Sequence, residues 1–176
     1  SKHSRCQVVR ASLVGMQRKT APAEGLSAEE RLTVMGLLAE VAVGLERRAA
    51  ADLAAHGLSA VEFGVLLRLS RSPGHRLRMT DLTAQTALTT SGVTRVVDRL
   101  EHAGLVRREA CPTDRRSTYA TLTTYGEERV AAALPGHVAL IDRWLVGPLG
   151  TEDLRALAAS LRAVRDAVHP CASAGT

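Results

Sequence analysis

A chain of 176 residues with 45% hydrophobic content has room for one ordinary domain, or for a small domain with helices attached. Phe63, Tyr119, Tyr125 and Trp144 are its only aromatic residues, which argues against single-strand and RNA binders that stack bases on rings. The net charge is +5, and Lys2 and Lys19 are the only lysines, so arginine carries nearly all the positive charge.

The placement of that charge is more informative than its size. Residues 1–19 hold Lys2, Arg5, Arg10, Arg18 and Lys19 without an acid, and residues 68–116 hold ten arginines against five acids. The rest of the chain is net acidic. A GC-rich coding sequence accounts for the abundance of arginine but not for its concentration on one internal segment. Such concentration is the electrostatic footprint of a duplex binder.

Other classes find little support. Cys6, Cys111 and Cys171 are odd in number and far apart, giving neither a disulfide framework nor a zinc spacing. The six histidines, among them His56 and His137, show no close ligand spacing, so neither a metal nor a cofactor is expected. There is no Gly-rich phosphate loop, no Gly-x-Ser-x-Gly and no acid/base cluster; no catalytic residue is assigned and an enzyme is not expected. No apolar run approaches 18 residues and nothing resembles a signal peptide. The expectation is a cytoplasmic protein without membrane association.

In chain order, residues 1–26 lack periodicity and read as a flexible basic N-terminal tail, either an inert extension or an arm that touches DNA. Ser27-Ala28-Glu29-Glu30 is a capping box that opens a helix to about His56, with Leu32, Met35, Leu38, Val41, Leu45 and Ala49 on one stripe. A second capping box, Ser59 to Glu62, opens the next helix, which Pro73-Gly74 closes. Two short helices follow, Thr80–Ala87 and Thr90–His102, with Gly104 as the stop. A hairpin comes next, with strands at 105–110 and 118–123 and arginines crowding its tip. A third capping box, Thr124 to Glu127, starts another helix that Pro135-Gly136 should kink or break. Thr151 caps the last helix, where Leu154, Leu157, Leu161, Val164 and Val168 keep a 3-4 spacing. Residues 170–176 form a C-terminal tail.

Two short helices followed by a basic hairpin read as a winged helix-turn-helix. The fold class is mainly α with a small β-wing, with N- and C-terminal dimerisation helices at 27–56 and 124–169 around a DNA-binding domain at 57–123. A 3-4 apolar stripe needs a partner surface, and a second copy would supply it. On the helix 90–102, Val93, Val96, Val97 and Leu100 share one face while Ser91, Arg95, Asp98 and Arg99 point away. Arg95 or Arg99 can offer a bidentate pair to a guanine edge, and Ser91 and Thr94 can serve bases or phosphates. Thr80 and Thr90 lie at helix starts, where phosphate is favoured. At the wing, Asp114 can fix the turn and neutralise one of Arg115 and Arg116, leaving the other for phosphate or a narrow minor groove.

Three stretches carry a family resemblance: Gly57-Leu-Ser-Ala-Val-Glu-Phe-Gly-Val-Leu66, Ser91-Gly-Val-Thr-Arg-Val-Val-Asp-Arg-Leu-Glu-His-Ala-Gly-Leu-Val-Arg107, and Pro112-Thr-Asp-Arg-Arg-Ser-Thr-Tyr-Ala-Thr-Leu-Thr123. Together they resemble the MarR (multiple antibiotic resistance regulator) family, over about residues 28–168. The resemblance implies a homodimeric, ligand-responsive transcriptional regulator, usually a repressor, on a palindromic operator in double-stranded DNA. It also implies a small aromatic or phenolic effector between dimer and reader domains; Arg47 and His56 are the polar groups expected near that join. The family wing commonly reads Asp-Pro-Arg-Asp-Arg-Arg, and here Cys111 and Thr113 replace its first and third residues. Arg115 is therefore assigned to the groove, with Arg116 paired to Asp114 or to Asp81. A redox- or metal-responsive regulator, and a winged-helix dimer acting as a protein adaptor, are the alternatives.

Overall fold

The computed structural model describes residues 25–86, 88–111 and 114–168, and only the backbone of 114–116. Residues 1–24, expected as a basic tail, Ala87, Pro112, Thr113 and residues 169–176 lie outside the described residues. By internal packing the chain divides into two units, residues 1–41 and 42–176.

In the first unit the helix α1 (Ala28–Ala55) begins. The expected capping box closes: the Glu30 N–H donates to Ser27 Oγ at 3.1 Å and the Ser27 N–H to Glu30 Oε2 at 2.7 Å. Those bonds satisfy donors that a helix start leaves orphaned, and such a cap stabilises by about 1 kcal/mol. Leu32, Met35, Leu38 and Val41 are all exposed there.

The second unit holds the core. After α1 come α2 (Ala60–Ser70), a tight turn at Pro73–His75, β1 (Arg76–Arg78), α3 (Met79–Gln85) and α4 (Thr90–His102). They are followed by β2 (Val106–Cys111), β3 (Asp114–Leu122), α5 (Thr124–Ile141), a π-helical turn at Asp142–Val146 and α6 (Gly147–Val168), which is interrupted at Gly150. Leu53, Phe63, Leu66, Leu82, Val97 and Leu122 are among the side chains that pack the centre. The architecture is the mainly helical one expected, with a small antiparallel sheet in the order β1-β3-β2. No single helix among the described residues is long and apolar enough to cross a membrane.

Four local expectations are corrected. β1 was not legible: three residues with one apolar position give no periodicity, yet Leu77 pairs with Ala120 and both are buried. The edge of β3 needs a partner, and Leu77 anchors one. The second wing strand is longer than its apolar pattern suggests, and the first is shifted by one residue. β2 runs through Cys111, β3 starts at Asp114, and a bulge at Ala110/Cys111 shifts the register, so Arg115 and Arg116 belong to β3 and not to an open turn. The added residues of β3, Asp114 to Ser117, are all polar, so they carry no apolar alternation to read.

The cap of α5 is Thr123 and not Thr124: the Gly126 N–H donates to Thr123 Oγ1 at 3.0 Å. Thr123 is held in extended backbone because its N–H donates to the Leu105 carbonyl at 3.1 Å and its hydroxyl to the Gly104 carbonyl at 2.8 Å. Glu127 is thereby freed to meet the His75 ring instead of closing a capping box. A Cβ at Gly126 would stand 2.2 Å from the Leu105 carbonyl oxygen, so this close approach admits only glycine.

Pro135-Gly136 does not break α5, which continues to Ile141. A helix-interior proline costs about 3 kcal/mol in isolation. Here Val130 and Ala133 are buried before it and Leu140 packs against the core after it, so tertiary packing holds the helix across it. Gly136 contributes by lacking a Cβ, which would lie 2.5 Å from Asp52 Oδ2.

Candidate nucleic-acid interface

α3 and α4 form the helix-turn-helix. Thr89 caps α4, accepting from the Gly92 N–H at 3.1 Å, and Gly104 at φ +71° follows its end. The inward face is the one expected: Val93, Val96, Val97 and Leu100 are at most 4% exposed. The outward face presents Thr90, Ser91, Thr94, Arg95, Asp98 and Arg99, all exposed. Thr80 on α3 is exposed too, and shares with Thr90 and Thr94 a cleft of about 190 Å³ between the two helices. The Thr94 hydroxyl donates to the Thr90 carbonyl at 2.9 Å, which leaves its oxygen as an acceptor.

The two arginines proposed for base reading are in different states. Arg95 makes no hydrogen bond or ion pair with another described residue. Arg99 donates from Nε to Glu62 Oε1 at 2.9 Å, with its side chain 57% exposed. The other oxygen of Glu62 accepts from the Ser59 N–H at 2.9 Å and from the Ser59 hydroxyl at 2.8 Å. One carboxylate thus caps α2 and clamps α4. Burial pushes the Glu62 carboxyl up, but the Ser59 N–H and then Arg99 outweigh it and hold the group below its ordinary value.

A second clamp was not anticipated. Arg108 on β2 reaches Asp98 at 2.6 Å and Glu101 at 2.5 Å, and its N–H donates to Glu101 at 2.9 Å, tying the wing to α4. Nothing in the spacing of Arg107-Arg108 distinguishes the outward arginine from the clamping one; only strand register does. Arg107 instead pairs with Glu109 at 2.7 Å.

At the wing, Asp114, Arg115 and Arg116 occupy the first three positions of β3, and their side chains lie outside the described ones. Asp81 is exposed on α3. Cys111 is buried, with Arg78 Nη2 3.8 Å from its sulfur; Arg78 also meets the Tyr119 hydroxyl at 3.3 Å. Among the described residues no group of three or more His, Cys, Asp or Glu is placed to hold a metal ion.

A cavity of about 520 Å³ opens between α1, α2 and α5, with Leu53, Phe63 and Leu140 on its apolar walls and Arg68, Thr86 and His137 among its polar ones. Arg47 and His56 do not line it. Arg47 is exposed on α1, and half-buried His56 uses its carbonyl to accept from Arg129 at 2.7 Å. His137 stacks at a tilt on Phe63, and its buried Nδ1 has no hydrogen-bond partner among the described residues. The sequence offered one signal for this site: Arg68 is the lone charge within the apolar run Val65-Leu-Leu-Arg-Leu69.

Comparison with known proteins agrees with this geometry. A sequence model of the MarR family matches residues 56–117. The transcriptional regulator MhqR of Bacillus subtilis is 34% identical over 109 residues, which are 62% of this chain and 73% of that protein. The crystal structure of AbsC, a MarR-family transcriptional regulator of Streptomyces coelicolor, matches with a TM-score of 0.72 and 35% identity, over 81% of this chain and 96% of that one. Sco3205 of the same organism, a MarR-family regulator solved in complex with DNA, matches with a TM-score of 0.72 and 36% identity, over 81% and 89%. With one fold shared over 96% of AbsC, and 34% identity with MhqR over 73% of that regulator, this chain belongs to the MarR family of transcriptional regulators.

Proposed function

We propose that the protein is a ligand-responsive repressor that acts as a homodimer on a palindromic operator in double-stranded DNA. The observation that carries this reading is the outward face of α4, where Arg95, with no partner among the described residues, stands beside Thr90, Ser91 and Thr94. Arg95 reads a base edge, most naturally guanine; Thr80, Thr90, Ser91 and Thr94 contact bases or phosphates. Arg99, clamped through Nε, offers its terminal nitrogens to phosphate. Arg115 enters the minor groove and Arg116 pairs with Asp114 or Asp81. That Sco3205 was solved with DNA supports the same use of the fold here.

Residues 27–56 and 124–169 supply the dimer and residues 57–123 the reader. In support, Leu161, Val164 and Val168 of α6 and the large apolar residues of α1 before residue 42 are left exposed in the single chain. A two-fold axis would set two α4 helices on successive major grooves, ~34 Å apart. The effector is a small aromatic or phenolic acid in the cavity between α1, α2 and α5, which is mostly apolar with a few polar groups.

Selecting bound fragments of genomic DNA with the full chain tests the reading. The recovered fragments should share a palindrome, and salicylate-like acids should weaken binding to it. Recovery of unrelated fragments with equal affinity would overturn operator recognition.

A further inference from the structure

The cavity described above touches the helix-turn-helix at one charged point. Arg68, near the end of α2, lines the cavity wall. Its Nε donates to the carbonyl of Gln85, the last residue of α3, at 3.0 Å, and its Nη1 to the carbonyl of Gly64 at 2.8 Å. Among the described residues it has no carboxylate partner and its Nη2 has no hydrogen bond. Glu46, the other charged side chain on that wall, forms no ion pair with it. The residue keeps exposed surface, yet desolvation pushes its pKa down from the ordinary arginine value. Thr86 and Leu88, from the turn between α3 and α4, stand on the same wall.

A helix leaves its last carbonyls unsatisfied, and a seven-residue helix has few other bonds to hold its end. The Arg68 guanidinium is therefore a C-terminal cap of α3 supplied from another helix, beside the Thr86 hydroxyl, which donates to the Leu82 carbonyl at 2.8 Å. A carboxylate competes with a neutral carbonyl for a guanidinium because it adds the opposite charge and can accept two parallel N–H bonds. We propose that Arg68 is the coupling residue of the regulator: a small monocarboxylate with an apolar body, bound in this cavity, takes the guanidinium from the Gln85 carbonyl and so loosens the turn that sets the start of α4. This rests on the proposed ligand reading of the cavity and adds the route by which the ligand acts. The ligand shifts DNA binding only by its affinity difference between the capped and uncapped states. A neutral molecule of the same shape fills the cavity and leaves the cap in place.

Benzoate and benzamide have the same size and differ in charge, so they serve as probes on the full chain. The readouts are amide hydrogen exchange at Thr86, Leu88 and Thr89, calorimetric binding of each probe, and affinity for the selected operator. Without any probe, Arg68→Gln should speed exchange at those amides while unfolding stays cooperative; Arg68→Lys should have a smaller effect. In the wild type benzoate should speed the same amides and weaken operator binding, about 5- to 150-fold for a usual coupling. Benzamide should do neither, and Arg68→Gln should not respond to benzoate. Unchanged exchange in Arg68→Gln overturns the coupling role whether or not a probe binds. If benzoate binds and Arg68→Gln keeps the full response, the coupling fails while the cavity reading stands. If Arg68→Gln speeds exchange but benzoate does not bind, the ligand reading fails and takes the proposed regulation with it, leaving Arg68 as a cap alone.

Discussion

α4 and α6 carry the same pattern, apolar residues three and four apart, and the fold treats them oppositely. On α4 the stripe Val93, Val96, Val97 and Leu100 is at most 4% exposed, sealed within the core. On α6 Leu161, Val164 and Val168 are 44%, 56% and 63% exposed in the single chain. A helical stripe says that a face needs cover; it does not say whether the same chain provides it. Their polar faces differ as well. That of α4 is braced by Glu62 against Arg99 and by Arg108 against Asp98 and Glu101, while Arg95 has no ion pair among the described residues. On α6 the ion pair Arg165–Asp166 joins neighbours in sequence.

The largest expected effect separates the two stripes through folding itself. Leu100→Ala, at a site 1% exposed, should lower unfolding stability by about 2–5 kcal/mol, measured by urea denaturation. That loss should not depend on how the chain associates. A loss well under 1 kcal/mol would mean that the α4 stripe is not core.

Leu161→Ala should act elsewhere. If a second copy covers α6, the change weakens association by roughly 0.7–1.3 kcal/mol per side chain, a little under half of a full leucine burial because 44% is exposed. Sedimentation of the wild type at micromolar concentration should give about twice 18.7 kDa, and the variant should dissociate at a higher protomer concentration. A wild type that sediments as one chain would remove the contrast between the helices.

On the polar side, Arg95→Ala should relax discrimination at one base position of each half-site, about 1–3 kcal/mol, in a titration across operator variants. Arg115→Ala should weaken operator and random duplex alike and flatten the salt dependence, by about one unit of slope for each phosphate that a subunit no longer neutralises. Equal, sequence-independent losses from both changes would end the division between base reader and backbone binder.

The smallest effect concerns the brace. The folded-state pKa of Glu62 lies below its ordinary value of 4.5, so its contribution is fully present above that pH and is lost as pH falls through the lower folded value. Stability should therefore decline as pH drops below about 4.5, and Glu62→Gln should show a shallower decline in that window. Identical acid profiles would mean that the Glu62–Arg99 pair does not hold α4.

Much of the helical framework is legible in the sequence itself. The bounds of α4, its buried face, and the capping boxes at Ser27 and Ser59 follow from periodicity and side-chain chemistry over four to seven consecutive residues. Those signals are local, so sequence carries them. β1 and the first four residues of β3 are not legible, because three residues, or the polar run from Asp114 to Ser117, leave no apolar period. The cap at Thr123 is misplaced by one residue in the sequence pattern because the strand end, through Leu105 and Gly104, fixes which threonine is extended. Pro135 reads as a break because its local cost is real, and packing on both sides overrides it.

The site divides along the same line. Sequence alone determined that a polar, arginine-bearing helix face adjoins a basic hairpin, since both lie within one continuous segment. Only the tertiary structure decided which arginines are free. Glu62 meets Arg99 across 37 residues, and Arg108 meets Asp98 and Glu101 by strand register. Arg68 reaches Gln85 across 17 residues and lines a cavity formed by three helices, where Arg47 and His56, chosen by their position in the chain, do not stand. Spacing fixes which side chains share a face, whereas the partner that occupies a charge comes from chain segments brought together only by packing.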